Sequence, residues 1–551
     1  MSRFLKTPEA LIILVGLWLA FFCNAGFWEV IAANKPEGAP AELLYFGSFL
    51  FLTVGLISLV FLLLAFGRAT RVVLGLALLT AAAAGYFTAN YGVLFDPGML
   101  INIIQTDRAE ASELLSFSQL TFIAVFGVLP ALAIWRYPIL PRPFPHALMH
   151  RSIALLLALG LITAPLIVSQ KEIFSVARNN QEIRHMIAPL NVISASYVSV
   201  RDNFETPGPF QQVAMDAAHV SAAAQQRKPR VHVLIVGETA RAANFSLNGY
   251  ALDTNPELEQ IESIQFLEVQ SCGTATAVSL PCMFSIQEHN NFNNNVARNA
   301  DNLLDVAKRS GYDVHWIDNG NSCKGTCARV DSQDVHSSSD NALCPDGTCY
   351  DEILVEELSH RLSSVTTDTI FVLHQLGSHG PAYYRRYPDA FRIFEPACDS
   401  ANFGDCTQQE IANAYDNTIA YTDHVIAATI RLLQSHAEEI EASLVYISDH
   451  GESLGEHNVY LHGMPYKFAP KEQTTVPMIA WFSTGGLRNS EEMVNCSQPA
   501  DAGSVSHDNL FHTELGIMAI STSAYRPDLD IFSTCRNAAV LADISKMDGP
   551  A

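Results

Sequence analysis

The sequence predicts two joined architectures: an α-helical membrane domain of five transmembrane helices, then an α/β domain built on a central, mainly parallel sheet. Charge-poor apolar stretches at 10–28, 43–66, 72–95, 117–135 and 152–170 predict the first, each long enough to cross a hydrocarbon layer of roughly 30 Å as a helix. Nearly continuous apolar, β-branched runs at 231–236, 369–373 and 444–447 predict the second, since strands covered on both faces read this way. At 551 residues the chain is also too long for one core. The expected boundaries are 1–170 for the membrane domain, 171–220 for an amphipathic bridging linker and 221–551 for the α/β domain.

The first stretch has the basic flank of a signal peptide, Arg3 and Lys6, but it is too long for one and other spans follow it. Basic residues then set the orientation. Arg3 and Lys6 precede the first span, Arg68 and Arg71 lie between the second and third, and Arg136, Arg142 and Arg151 lie between the fourth and fifth, all on one side, which marks those segments as cytoplasmic. An odd number of spans places everything after Gln170 on the far side. In a double-membrane bacterium that side is the periplasm, and the chain would then be a multi-pass inner-membrane protein with its N-terminus cytoplasmic and its second domain periplasmic.

Cysteine usage agrees with an oxidising compartment. Of 11 cysteines only Cys23 lies in a span, and the other ten follow Gln170. Sequence proximity pairs Cys272 with Cys282, Cys323 with Cys327, Cys344 with Cys349 and Cys398 with Cys406, leaving Cys496 with Cys535. A zinc site from Cys323, Cys327, Cys344 and Cys349 is the competing reading; thiolates in an oxidising medium tend to be lost to disulfides. The net charge of -23, with no basic stripe, excludes nucleic acid as the expected partner. The acidity itself reads as solvated surface.

The loop after the third span carries Asn102, Thr106 and Glu110, four apart and so on one face of a helix. Such a stripe beside a bilayer reads either as a grip for a lipid headgroup or as a solvated helix face. Residues 171–200 alternate apolar and polar groups, Ile173, Phe174, Ile183, Met186, Ile187 and Leu190 among them, as in an interfacial helix.

In the second domain chemistry gathers after the strands, where open α/β sheets hold their ligands. Glu238 follows the run 231–236, His379 lies in a Gly-Ser-His-Gly-Pro turn after 369–373, and Asp449 and His450 follow 444–447. His232 and His374, inside apolar runs, read as structural. Between Cys272 and Cys282 lie Thr274 and Thr276; either is a turn former or a nucleophile at a helix start, and spacing does not separate them. His462 offers a further imidazole to the same rim. Glu452 reads either as orienting His450 or as solvated surface. Two carboxylates and an imidazole suit zinc best and manganese less well, and a threonine oxygen completing the set would be acidified by the metal.

Taken together, the Asn-x3-Thr-x3-Glu loop, GETARAANFSLNGY, SCGTATAVSLPCMF, HQLGSHGPAYY, NAYDN, SDHGESLGE and YLHGMP resemble the lipid A phosphoethanolamine transferase family. That family includes the mobile colistin-resistance enzymes and belongs to the alkaline phosphatase and sulfatase superfamily. The resemblance spans nearly the whole chain. It implies one tightly bound Zn2+ held by Glu238, Thr276, Asp449 and His450, with Thr276 as nucleophile. It implies that His379 and His462 hold either the substrate phosphate or a second zinc, that Lys324 belongs to the phosphate site, and that Asn102, Thr106 and Glu110 contact the headgroup. The implied reaction moves phosphoethanolamine from phosphatidylethanolamine to a phosphate of lipid A through a threonine-bound intermediate, in an enzyme expected to be a monomer among membrane lipids. Core sugars or another envelope glycan as acceptor, or water in a membrane-tethered phosphodiesterase, are the alternatives. A non-catalytic sensor would need no metal constellation.

Overall fold

The computed structural model describes residues 6–36, 38–67, 69–106, 108–139, 143–204, 208–219, 228–320, 322–337, 341–483 and 505–533. Arg3, Arg68, Arg142, the side chain of Glu110, and Cys496 with Cys535 lie outside them. The chain divides into two compact units, Met1–Leu100 with Leu115–Arg201, and Ile101–Leu114 with Asp202–Ala551.

Among the described residues of the first unit, four helices are long and apolar enough to span a bilayer: Pro40–Leu64, Ala69–Tyr91, Phe117–Arg136 and Phe144–Val168. The first expected span, 10–28, is instead a pair of helices, Pro8–Phe22 and Ala25–Ala33, bent by 63°. Asn24 accounts for the bend. Its amide donates to Leu19 O (2.9 Å) and Ala188 O (3.0 Å), and its oxygen accepts from Ala188 N (2.7 Å), so the side chain ties the break to the backbone at Ala188. Gly85 permits close approach at this point, because a Cβ there would lie 2.2 Å from Cys23 O. The last span begins at Phe144, eight residues before the expected Ser152, and so takes in Arg151. That guanidinium is buried but answered, by Ala65 O and by Glu9 at 3.8 Å.

The second unit is organised by a seven-stranded sheet of β1 (Arg230–Gly237), β2 (Gln265–Gln270), β3 (Asp313–Asp318), β4 (Asp331–Asp334), β5 (Thr369–His374), β6 (Glu441–Ser448) and β7 (Thr475–Phe482), in the order β2-β7-β6-β1-β5-β3-β4. Only β7 runs against its neighbours. Leu234 and Val236 of β1 join a core with Val372, Val445, Ile447, Leu304 and Leu515, while Val233 and Ile235, on the opposite face, are equally buried. This two-sided burial explains the continuous apolar runs. Register then places the chemistry: Gly237 pairs with Ser448, and Val236 with both Ile447 and His374, so Glu238 and Asp449 leave adjacent strands side by side.

Candidate metal and nucleophile site

The turn after β1 is pinned from the helix Gln408–Ser435. Tyr415 OH donates to Thr239 O (2.8 Å) and accepts from Arg241 N (2.9 Å). Asp416 beside it accepts from Asn244 Nδ2 (2.5 Å) and Tyr250 OH (3.0 Å), which explains why the NAYDN and GETARAANFSLNGY motifs belong together. Thr239 is held at φ 61°, a strained setting for a β-branched residue. In return its hydroxyl donates to Glu238 Oε1 (2.6 Å) and its amide to Asp449 Oδ1 (3.2 Å). Gly377, at φ 56°, lets the loop after β5 close over this turn, since a Cβ there would lie 2.5 Å from Glu238 O.

The loop opened by Cys272 and closed by Cys282 delivers Thr276 to the first position of the helix Thr276–Met283. Pro281 sits inside that helix, and Asn294 Nδ2 takes the Ala277 carbonyl that Pro281 cannot reach (3.1 Å). Thr276 Oγ1 lies 3.0 and 3.2 Å from the Glu238 carboxylate oxygens and 3.3 Å from His450 Nε2. His450 Nε2 in turn lies 3.3 Å from Glu238 and 3.5 Å from Asp449 Oδ2.

This set fits a divalent metal. Glu238, Asp449 and His450 each offer a ligand atom, all within 4.8 Å of one another. Asp449 Oδ2 is buried without a hydrogen-bond partner among the described residues, which is costly unless a cation answers it. His450 Nδ1 donates to Gly451 O (2.9 Å), leaving the Nε2 lone pair for a ligand. Electrostatics point the same way. Burial and the Glu238 charge push the Asp449 carboxyl up, and although burial pulls the His450 imidazole down, Asp449 and Glu238 raise it to about 10. The pocket draws positive charge to this point.

The structure brings His462 and His379 to the same rim, with ring centroids 4.4 Å between His450 and His462 and 5.5 Å between His462 and His379. Glu452 is neither surface nor a partner of His450. It is fully buried and accepts from His462 Nδ1 (2.8 Å) and Tyr383 OH (2.5 Å); the strand Ser453–Leu454, paired with Tyr460–Leu461, carries His462 back towards it. Lys324 lies in the loop after β3 that Cys323 and Cys327 close, with φ 48°. Asn102 and Thr106 are one helical turn apart, Thr106 Oγ1 donating to Asn102 O (2.9 Å), in the segment Ile101–Leu114 that clusters with this second unit. Sequence reasoning missed Glu113 in that segment. Its carboxylate pairs with Arg386, whose Nε donates to His379 O (2.7 Å); the Arg-Arg pair after HQLGSHGPAYY was the only available signal. His374 is structural, bonded to Asp318 Oδ1 (3.0 Å). Four of the expected disulfides are formed, so the four central cysteines make no zinc site.

Residues 230–520 match the sulfatase family, and residues 53–204 match the family of phosphoethanolamine transferases EptA/EptB. Phosphoethanolamine transferase EptA of Escherichia coli K12 is 36% identical over 98% of this chain and all of its own length. Phosphatidylethanolamine transferase Mcr-1 from Escherichia coli is 35% identical over 86% of this chain and 90% of its own. The integral membrane lipooligosaccharide phosphoethanolamine transferase A of Neisseria meningitidis superposes with a TM-score of 0.90 at 35% identity, covering 96% of this chain and 98% of that one. The two matched regions correspond to the apolar helical part and the α/β part of the chain, and the chain belongs to the EptA/EptB phosphoethanolamine transferase family, with a domain of the sulfatase and alkaline phosphatase superfamily.

Proposed function

We propose that this protein transfers phosphoethanolamine from phosphatidylethanolamine to a phosphate of lipid A through a covalent intermediate on Thr276. One observation carries the reading: Thr276 Oγ1, at a helix N-terminus, stands within 3.3 Å of Glu238 and His450. The first amides of a helix favour the negative charge that a nucleophilic oxygen and a phosphate bring. Glu238, Asp449, His450 and Thr276 would hold Zn2+, a Lewis acid that acidifies the threonine hydroxyl and draws charge from phosphate oxygens.

Thr276 Oγ1, its proton given up to solvent, attacks phosphorus as an alkoxide, the phosphorus–oxygen bond to diacylglycerol breaks, and His379 or His462 gives the leaving alkoxide its proton. Lys324 and the histidines offset charge on the phosphate oxygens, and Asn102, Thr106 and Glu110 contact the donor headgroup. A lipid A phosphate oxygen then displaces Thr276. The product carries an added amine and less net negative charge, so cationic peptides such as polymyxin bind the outer surface less well. The basic residues flanking alternate spans, with the disulfides of the second unit, support a cytoplasmic N-terminus and a periplasmic catalytic domain.

Mass spectrometry of envelope lipids from cells expressing the chain, beside a Thr276→Ala variant, tests this. Phosphoethanolamine on lipid A with the parent and none with the variant is expected. Modified core sugars with unmodified lipid A would replace the acceptor, and an active variant would refute the nucleophile.

A further inference from the structure

The segment Val505–Asn509 lies far along the chain from the site yet meets both of its halves. Gln270, the last residue of β2, donates its amide to Val505 O (2.9 Å) and pairs with Ser506 in an isolated bridge. Ser506 then turns the chain, its amide donating to Asn509 Oδ1 (2.9 Å) and its hydroxyl accepting from Asp508 N (3.2 Å). This turn aims His507, 1% exposed, between two backbones. Cys272 N donates to His507 Nδ1 at 3.1 Å, so that nitrogen carries the lone pair; Nε2 therefore carries the hydrogen, and it donates to Ser448 O at 3.0 Å.

Cys272 opens the loop that delivers Thr276, and Ser448 is the residue before Asp449. A second imidazole completes the grip. His289 Nδ1 donates to Cys272 O (2.8 Å), and His289 N donates to Asp508 Oδ1 (2.7 Å). Both backbone groups of Cys272 are thus held by imidazoles anchored to one turn. Burial pushes His507 down to about 3, which keeps the ring uncharged and its tautomer fixed across the working range.

We propose that His507 is a positioning residue for phosphoryl transfer: by tying Cys272 to Ser448 it sets the separation between Thr276 and the Glu238, Asp449 and His450 set. The inference rests on the function proposed above. It needs no contact between His507 and substrate; a misplacement of about 1 Å in a reacting group is enough to cost on the order of 100-fold in rate.

The test uses the full-length, zinc-loaded chain in detergent with a fluorescent phosphatidylethanolamine donor. His507→Asn retains a polar group near Nδ1 and drops the link to Ser448, His507→Gln retains one near Nε2 and drops the link to Cys272, and His507→Phe drops both. Asn and Gln are each expected to lower kcat by about 10- to 100-fold, with KM for the donor and zinc content little changed and Tm lowered by the one buried hydrogen bond each loses. Unaltered kcat per zinc-loaded molecule in both, whatever happens to Tm, overturns the proposal, and these two variants decide the matter if the Phe variant does not fold. If the parent transfers nothing, the proposed function fails. The positioning role is then read from zinc-dependent cleavage of bis(p-nitrophenyl) phosphate: the same loss in both variants supports it, and full cleavage overturns it.

Discussion

Glu452 offers the sharpest single perturbation. Its carboxylate is fully buried and ends two hydrogen bonds, one from His462 Nδ1 at 2.8 Å and one from Tyr383 OH at 2.5 Å. Glu452→Gln leaves an oxygen for Tyr383 and turns an amide group towards His462, which loses its charged acceptor. A hydrogen bond to a charged group contributes about 1.5–3 kcal/mol and a neutral one about 1 kcal/mol, so the change removes about 1–2 kcal/mol from the hold on His462. If His462 meets the substrate phosphate, kcat falls by about 5- to 30-fold. Zinc content stays constant, because Glu452 is not among the candidate ligand atoms. Tyr383→Phe is the control: it removes the other bond and leaves His462 bonded, so it lowers stability by about 1–3 kcal/mol with a smaller effect on kcat. Steady-state transfer from a fluorescent donor, with zinc measured on the same samples, checks both. Full kcat in Glu452→Gln refutes the reasoning, and loss of zinc relocates the role of Glu452 from His462 to the metal.

Asp449→Asn removes one of two carboxylates at the metal set, so zinc content and transfer should fall together, as they should in the parent after chelation, with zinc restoring only the parent. Replacing Cys272 and Cys282 together by serine opens a loop with a sequence separation of 10; a loss of about 3 kcal/mol is expected from chain entropy, read as a lower denaturant midpoint. Asp423 is buried where it accepts the amides of Glu257 (2.9 Å) and Leu258 (3.2 Å), and burial pushes its carboxyl up to about 7. The folded chain therefore holds this proton more tightly than the unfolded one, whose value is about 4. Its contribution to stability is fully present below about pH 4 and lost as pH rises through about 7, so the parent should lose Tm relative to Asp423→Asn between pH 5 and pH 8, and a constant difference would contradict it.

Much of this site was legible because its residues follow buried strands. An apolar run that ends in Glu238, or in Asp449 and His450, carries its own address in an open sheet, and register does the rest by pairing Gly237 with Ser448. Two kinds of information were not local. The bend after Phe22 depends on Asn24 finding Ala188, 164 residues away, which no helical period encodes. Likewise Glu452 reads in the hydrophilic string SDHGESLGE either as a support for His450 or as surface, and only the return of Tyr460–Leu461 against Ser453–Leu454 shows that it faces His462. His507 left still less trace. A histidine serving two backbone groups needs no companion motif, since its partners are an amide and a carbonyl that every residue carries.

The acidic balance of the chain takes on a second meaning at this sheet edge. Glu238 and Asp449 are both buried, and with Glu452 and Asp318 they place four carboxylates in or beside one rim. Removing such groups from water costs several kcal/mol each unless they are paired and hydrogen-bonded. Asp318 is answered by His374 at 3.0 Å and Glu452 by His462 and Tyr383. Glu238 and Asp449 share a single imidazole, His450, so even a protonated ring leaves the set one charge short of neutral. A divalent cation beside an uncharged His450 brings carboxylates, imidazole and metal to zero, and it leaves room for the threonine oxygen to carry the negative charge that nucleophilic attack requires. The same arithmetic explains why a further acid, Glu452, stands behind His462 rather than in the Glu238, Asp449 and His450 set: there it accepts from His462 Nδ1 without adding to the charge a cation would have to neutralise.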